Sequence, residues 1–330
     1  MKVLVLTQGE IERLMPVEAC IDLMADALKA LARGDVHQPL RMIVRPPNTA
    51  GLMGLMPAVL SGPGRKPAYG LKVVCLFKDN PARGKDMHQG GVLLFDGTTG
   101  ELVALMNASA ITAIRTAAVS GVATRLLARE DAGDVAIIGA GVQARTHLLA
   151  MAAVRRMRRV RVASRSIDRA RAFAREMQAR VDCAIEPLAS AADAVRGADL
   201  IVTATSSVNP VIEHTWIAPG THLNIVGASL PHAREVDSAT MARSAIFVDR
   251  RESTISESGD YRLAAADGAI GPHDIRAELG ELLLGKQQGR STPEEITLFK
   301  SLGLAVEDLA SAEFLYQRAQ DVGAGTWVDL

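Results

Sequence analysis

Hydrophobic positions change their spacing along this chain of 330 residues, and each change marks a new kind of element. Over residues 9–33 they recur at helical intervals, at Ile11, Leu14 and Met15 and again at Ile21, Leu23, Met24, Ala27, Leu28 and Leu31, until Gly34 stops the pattern. This spacing predicts two short helices. From 41 to 106 the apolar runs shorten to strand length, at 41–44, 52–56, 69–77, 91–95 and 102–106, with turn clusters such as Pro46-Pro47-Asn48 and Asp96-Gly97 between them. A mainly antiparallel sheet is the economical arrangement. Residues 108–129 return to a long helical pattern, and Gly133 separates it from the next apolar run. Runs at 135–138, 160–163, 200–204, 223–226 and 245–248 then alternate with helical stretches around 169–178 and 191–195, and 294–320 reads as helix again. Alternation of this kind predicts a doubly wound parallel sheet. The expected fold is therefore α/β, a Rossmann domain over 119–304 beside an α+β domain made of 1–118 and 305–330.

The junction at 134–145 carries the most specific chemistry. Residues 135–138 are continuously apolar, as a strand buried on both faces of a parallel sheet should be. The run ends in Gly139-Ala140-Gly141-Val142-Gln143-Ala144, a G-x-G-x-x-A turn that opens a helical pattern. Gly139 can make the tight turn, Gly141 lets backbone approach a pyrophosphate, and Ala144 is small enough for helix and strand to pack. The helix N-terminus then faces the anion. With a strand before it and a helix after it, the motif predicts dinucleotide binding.

Composition narrows the partner. Lys and Arg number 37 and Asp and Glu 37, so there is no global electrostatic case for nucleic acid. Aromatic residues make up 3%, which offers no platform for stacking bases. Cys20, Cys75 and Cys183 are odd in number and widely spaced, without metal or C-x-x-C spacing, which fits a reducing cytoplasm. The apolar run at 1–7 is too short for a signal peptide, no segment is expected to span a membrane, and His147, His214 and His222 show no metal spacing. A small-molecule partner and no metal are expected.

The second strand of an NAD-binding unit usually ends in an Asp or Glu that holds the ribose 2′-hydroxyl. Here it ends in Ser164-Arg165-Ser166, whose hydroxyls and guanidinium suit a 2′-phosphate. NADPH is favoured over NADH. The competing reading places Arg165 in a solvated basic face over 155–171. Upstream, Arg41, Lys72 and Arg115 each sit inside an apolar run. Each alone could snorkel from a strand edge, but three ahead of a redox site suggest an anion clamp for a carboxylate.

Segments 54–57 (GLMP), 69–72 (YGLK), 111–118 (ITAIRTAA), 138–144 (IGAGVQA), 226–229 (VGAS) and 298–308 (LFKSLGLAVED) together resemble the ornithine cyclodeaminase and mu-crystallin family over nearly the whole chain. The resemblance implies a homodimer whose first domain, completed by the C-terminal helix, binds substrate and pairs subunits. It implies that Arg41, Lys72 and Arg115 clamp a substrate carboxylate. It further implies that the Gly139 loop, Ser164-Arg165-Ser166, Thr203-Ala204-Thr205, Val226 and Ser301-Leu302-Gly303 bind the nucleotide, with Thr116 adding a phosphate contact. His88 is a candidate donor to substrate or to the nicotinamide ribose. Glu257 and Asp260 could supply an acid near the pocket or merely cap a turn and helix.

Departures from the family pattern matter as much. Ornithine cyclodeaminases carry an Asp where this chain has Ser229 and a Glu where it has Gly54. Their absence, with Ser164-Arg165-Ser166, resembles the ketimine-reductase and mu-crystallin side. The expected reaction is NADPH-dependent reduction of a small imino acid, Δ1-pyrroline-2-carboxylate or Δ1-piperideine-2-carboxylate to L-proline or L-pipecolate. Lys72 could polarise or protonate the imine nitrogen if burial lowers its pKa. The alternatives are ornithine or lysine cyclodeamination with bound NAD, an alanine dehydrogenase-like or other imine reduction, and non-enzymatic NADPH-dependent small-ligand binding.

Overall fold

The computed structural model describes residues 1–330, including every side chain except that of Pro81. The chain forms two compact units, Met1–Arg115 with Gly303–Leu330, and Thr116–Leu302.

In the first unit, Gln8–Leu14 and Val17–Arg33 are helices. The second buries a stripe of Cys20, Ile21, Met24, Ala25, Ala27 and Leu28 and ends at Gly34 in the left-handed region, φ +86°. The strands run across the sheet in the order Thr326–Asp329, Lys2–Leu6, Leu102–Asn107, His88–Phe95, Arg65–Phe77, Gly51–Gly62 and Val36–His37, with Met42–Val44 also on Gly51–Gly62. Every pairing is antiparallel except that of Lys2–Leu6 with Leu102–Asn107. Burial alternates along Gly51–Gly62, as expected of a sheet with one covered face. The cover is helix Ala305–Val322, packed so closely that a Cβ on Gly70 would lie 2.8 Å from Leu309 Cδ1. On the opposite face Met42, Val44, Met53, Tyr69 and Leu105 remain exposed.

The second unit holds an eight-stranded sheet with every pairing parallel, in the order Ile185–Leu188, Arg159–Ala163, Asp134–Ile138, Leu200–Thr203, His222–Ile225, Thr297–Lys300, Ala245–Val248, Ile275–Glu278. The expected doubly wound sheet is present. One expectation is corrected: 294–320 is not all helix, because Thr297–Lys300 is a fully buried strand between His222–Ile225 and Ala245–Val248, and helix begins only at Ala305. The short buried run T-L-F-K has no period by which a strand could be told from a helix. The outer strand Ile185–Leu188 contains Pro187, which is compatible with an edge but not with a central position.

Helix Ala108–Leu127 is mostly apolar, with Arg115 and Arg125 its only charged residues. By length and hydropathy it could cross a membrane, but 83% of its apolar window is buried inside the protein. Its C-terminal end is held by Arg155, whose guanidinium donates to Thr124 O and Ala128 O at 2.9 Å and to Arg129 O at 3.0 Å. A cation on the last carbonyls of a helix opposes its dipole.

Candidate functional site

The three cations singled out in the sequence gather in the first unit. Lys72 is 3% exposed and pairs with Asp308 at 2.6 Å. Arg115, also 3% exposed, reaches Glu307 through Nη1 at 2.8 Å and Asp308 through Nε at 2.9 Å. Arg41 donates to Gly303 O at 3.1 Å. Gly303 has φ +79°, and a Cβ there would lie 2.2 Å from Arg115 Nη1, so only glycine fits against the guanidinium. Glu307 and Asp308 occupy the first turn of helix Ala305–Val322, where a carboxylate also complements the helix dipole. The same turn is tied down by Gln38, whose Oε1 accepts from Val306 N at 2.8 Å. Neither acid was given a role from sequence, although two adjacent carboxylates in the apolar run Ala-Val-Glu-Asp-Leu-Ala need buried partners.

Electrostatics in this cluster are strongly coupled. Burial, then the charge of Arg115, lowers the Lys72 ammonium to about 8 despite its bond to Asp308. Burial pushes Asp308 upward, but Arg115 and Lys72 outweigh it and hold the carboxyl below its ordinary value. His88 begins strand His88–Phe95 and keeps exposed surface. Desolvation of its ring, then the charges of Lys72 and Arg115, lower its pKa and favour the neutral imidazole. Arg41, which lowers the Lys72 ammonium further, brings a third cation to this group.

In the second unit the glycine turn has the required shape. Gly139 has φ +121°, and a Cβ on it would meet Ala204 O at 2.4 Å. Ala144 is fully buried. Gly141 is different: its φ of −95° suits any residue, and a Cβ there meets no atom within 4 Å. The protein itself does not require glycine at that position, and the open space lies at the N-terminus of helix Val142–Val154, which has no side-chain cap. Backbone amides facing open space at a helix start are suited to an anion, so these residues fit a dinucleotide pyrophosphate.

Around the second strand end, Ser164 Oγ donates to Ser166 O at 2.7 Å, and Ser166 is the N-cap of helix Ile167–Met177. Most of the basic run is exposed, at Arg156, Arg158, Arg159, Arg165, Arg169 and Arg171, but several of its members are engaged. Arg155 caps a helix, Arg158 and Arg159 pair with Asp134, and Arg161 donates to Asp193 O and Arg196 O. Arg165 is exposed and makes no hydrogen bond or ion pair among the described residues.

The remaining predicted residues fall into two groups. Thr203, Ala204 and Thr205 lie against the glycine turn and are joined to Val226, whose N–H donates to Thr203 O at 3.0 Å. Ser229 follows in the same loop and is partly exposed. Thr116 is buried on the long helix, Ser301 N–H donates to Ile225 O at 3.0 Å, and Glu257 ends helix Arg251–Glu257 half-buried. Asp260 is not the cap of its helix. It is fully buried 3.0 Å from Lys300 Nζ, while Ser258 caps its helix. Two buried residues, Glu235 in a loop and Lys300 at the end of a strand, escaped sequence reasoning, since a lone charge reads as solvated until its burial is seen. Among the described residues no three His, Cys, Asp or Glu gather as a metal site.

The model of the ornithine cyclodeaminase/mu-crystallin family matches residues 1–323. The chain belongs to that family. It is 36% identical to a Δ1-pyrroline-2-carboxylate reductase of Bacillus cereus, over 99% of each chain. It is 39% identical to the ketimine reductase mu-crystallin of Mus musculus, over 86% of this chain and 85% of that one. The solved structure of Thermococcus litoralis Δ1-pyrroline-2-carboxylate reductase in complex with NADH and L-proline superposes with a TM-score of 0.95 at 38% identity, covering 98% of this chain and 99% of that one. The family resemblance and the α/β fold expected from sequence both hold.

Proposed function

We propose that this family member, a nicotinamide-dependent oxidoreductase of C=N or CH–NH bonds, reduces small cyclic 2-imino acids such as Δ1-pyrroline-2-carboxylate or Δ1-piperideine-2-carboxylate to L-proline or L-pipecolate. The observation that carries the reading is the cluster of Arg41, Lys72 and Arg115 around the buried carboxylates of Glu307 and Asp308, in which Lys72 and Arg115 are themselves buried. So cation-rich a site suits a substrate carboxylate, and guanidinium contacts fix its orientation. Lys72, at about 8, holds a proton at neutral pH that it can release to the imine nitrogen, since a general acid works best near the ambient pH. His88, kept neutral, offers a hydrogen bond at the edge of the same cluster without adding charge. Gly54, between Val74 and Ile43, replaces the glutamate of cyclodeaminases with an apolar wall. Bound at the Gly139 turn, a reduced nicotinamide supplies the hydride.

NADPH is the proposed reductant, and exposed, unpaired Arg165 at the end of Arg159–Ala163 supports it. The test is a panel of 2-imino acids run with NADPH and NADH side by side. Cofactor oxidation on the cyclic imino acids is expected, with a descending limb near pH 8 as Lys72 loses its proton. Arg165→Ala should raise KM for NADPH roughly tenfold, the worth of a charge-assisted contact, and leave KM for NADH unchanged. No turnover on any 2-imino acid refutes the proposal. Ammonia and proline from ornithine without net cofactor change would instead establish cyclodeamination.

The exposed face of Met42, Val44, Met53, Tyr69 and Leu105 supports a homodimer, because monomers rarely leave so continuous an apolar face in water. Light scattering should give twice the 35.0 kDa of one chain, and Tyr69→Asp with Leu105→Asp should give a monomer. A monomeric wild type contradicts it. We place the enzyme in the cytoplasm on the support of three unpaired cysteines.

A further inference from the structure

Glu235 is 0% exposed and lies in the loop before helix Ser238–Ala242, far in sequence from the groups it holds. Its Oε1 accepts from Thr205 N and Thr205 Oγ1, both at 2.7 Å. Its Oε2 accepts from Thr203 Oγ1 at 2.7 Å and Gly227 N at 2.6 Å. All four lone-pair positions of the carboxylate are taken. Thr203 ends its strand and Thr205 lies just beyond it against the glycine turn, while Gly227 lies just beyond the neighbouring strand, two residues before Ser229. The carboxylate is therefore a staple between two adjacent strand ends. Its own backbone is fixed in turn, because Glu235 N and Val236 N donate to Asp260 Oδ1 at 2.7 and 3.2 Å while Asp260 Oδ2 pairs with Lys300 at 3.0 Å. Lys300 also donates to Ile225 O at 3.4 Å. One strand further, Asp249 Oδ2 accepts from Leu302 N at 2.7 Å. Buried charges of this kind recur along the C-terminal edge of the sheet, where an open α/β sheet binds its ligand.

We propose that Glu235 is a positioning residue, which sets the separation of the Thr203–Thr205 and Gly227–Ser229 segments so that the cofactor finds its site already formed. The proposal rests on reading those segments as cofactor-facing. Its chemistry makes the isosteric variant informative. In Glu235→Gln one end of the side chain becomes an NH2. Threonine hydroxyls can rotate to accept from it, but a main-chain N–H cannot. Thr205 N lies at one oxygen and Gly227 N at the other, so either orientation of the amide leaves one buried N–H facing a donor. The strand ends must then separate or let in water.

The experiment measures NADPH binding by fluorescence, together with kcat and KM for an imino acid, on wild type, Glu235→Gln, Thr203→Val and Asp199→Asn, well below each melting temperature. Asp199 is the control: it accepts from Gly133 N and Asp134 N at the opposite end of the same sheet, so its loss destabilises without touching the proposed staple. Glu235→Gln should weaken NADPH binding at least tenfold, and Asp199→Asn should leave it unchanged. Thr203→Val, which removes one of four donors, should weaken binding two- to fivefold, and it decides the matter if Glu235→Gln does not fold. Wild-type affinity in Glu235→Gln, equal weakening in Asp199→Asn, or an unaffected Thr203→Val where Glu235→Gln does not fold would each overturn the proposal. A wild type that binds no nicotinamide nucleotide overturns the cofactor reading itself, and the proposal with it.

Discussion

Arg115→Lys is expected to lower kcat/KM on a 2-imino acid by roughly a hundredfold, about 3 kcal/mol, the usual cost of spoiling one member of a buried charge pair. Charge is conserved in this variant, so the loss is one of geometry. Arg115 spans Glu307 with Nη1 and Asp308 with Nε; a lysine amine is a point charge and reaches one of them. The carboxylate left over repels the substrate carboxylate, so KM rises as kcat falls. Arg115→Met removes the charge altogether and leaves two acids at 0% and 1% exposure without their guanidinium, which should destabilise the protein by about 3–5 kcal/mol. Steady-state kinetics on Arg115→Lys and denaturant midpoints on Arg115→Met check the two statements. Wild-type kcat/KM in Arg115→Lys would remove the cluster from substrate binding.

Acid should unfold this protein through two buried histidines of the second unit. His147 is fully buried between Gln143 O at 2.7 Å and Ser120 Oγ at 3.0 Å, and burial lowers its pKa from 6.5 to about 4. His222 is fully buried beside Thr297 Oγ1 at 2.9 Å, and burial, then the charges of Arg290 and Arg155, lower it from 6.5 to about 3. Both are held neutral when folded and become protonated when unfolded. Their contribution is therefore complete above about pH 6.5 and is lost as pH falls toward the folded values. Each contributes about 1.4 kcal/mol per pH unit across that window, so the pair removes about 4 kcal/mol between pH 6.5 and about pH 5. Set against a typical stability of about 5–15 kcal/mol, that loss should be plain in urea midpoints. His222→Gln should halve the slope. Equal midpoints at about pH 7 and about pH 5 would show that these rings are solvated.

Much of the architecture was legible from spacing alone. Short apolar runs between turn clusters from 41 to 106 gave away the sheet of the first unit, and the apolar runs alternating with helical stretches after Gly133 gave away the parallel sheet, because hydrophobic spacing is a local property. The strands that escaped are Lys2–Leu6, Val36–His37, Thr326–Asp329, Ile275–Glu278, Ile185–Leu188 and Thr297–Lys300. These are short, and they owe their existence to partners distant in the chain, as when Lys2–Leu6 pairs with both Leu102–Asn107 and Thr326–Asp329. Local propensity carries no record of such pairing.

The candidate site divides in the same way. By itself the sequence determined the glycine turn, the Ser164-Arg165-Ser166 strand end, the three cations and the family, because each is a matter of residue type at short spacing. Only the tertiary structure decided what those cations face. It brought Glu307 and Asp308 beside Lys72 and Arg115 from some two hundred positions away. It showed Gly141 opening on free space while Gly139 is pressed against Ala204. It also turned Glu235 from an ordinary loop acid into the centre of a four-donor staple. The reason is common to all three: a charge or a glycine acquires its meaning from burial and from the groups around it, and both are set by the folded chain.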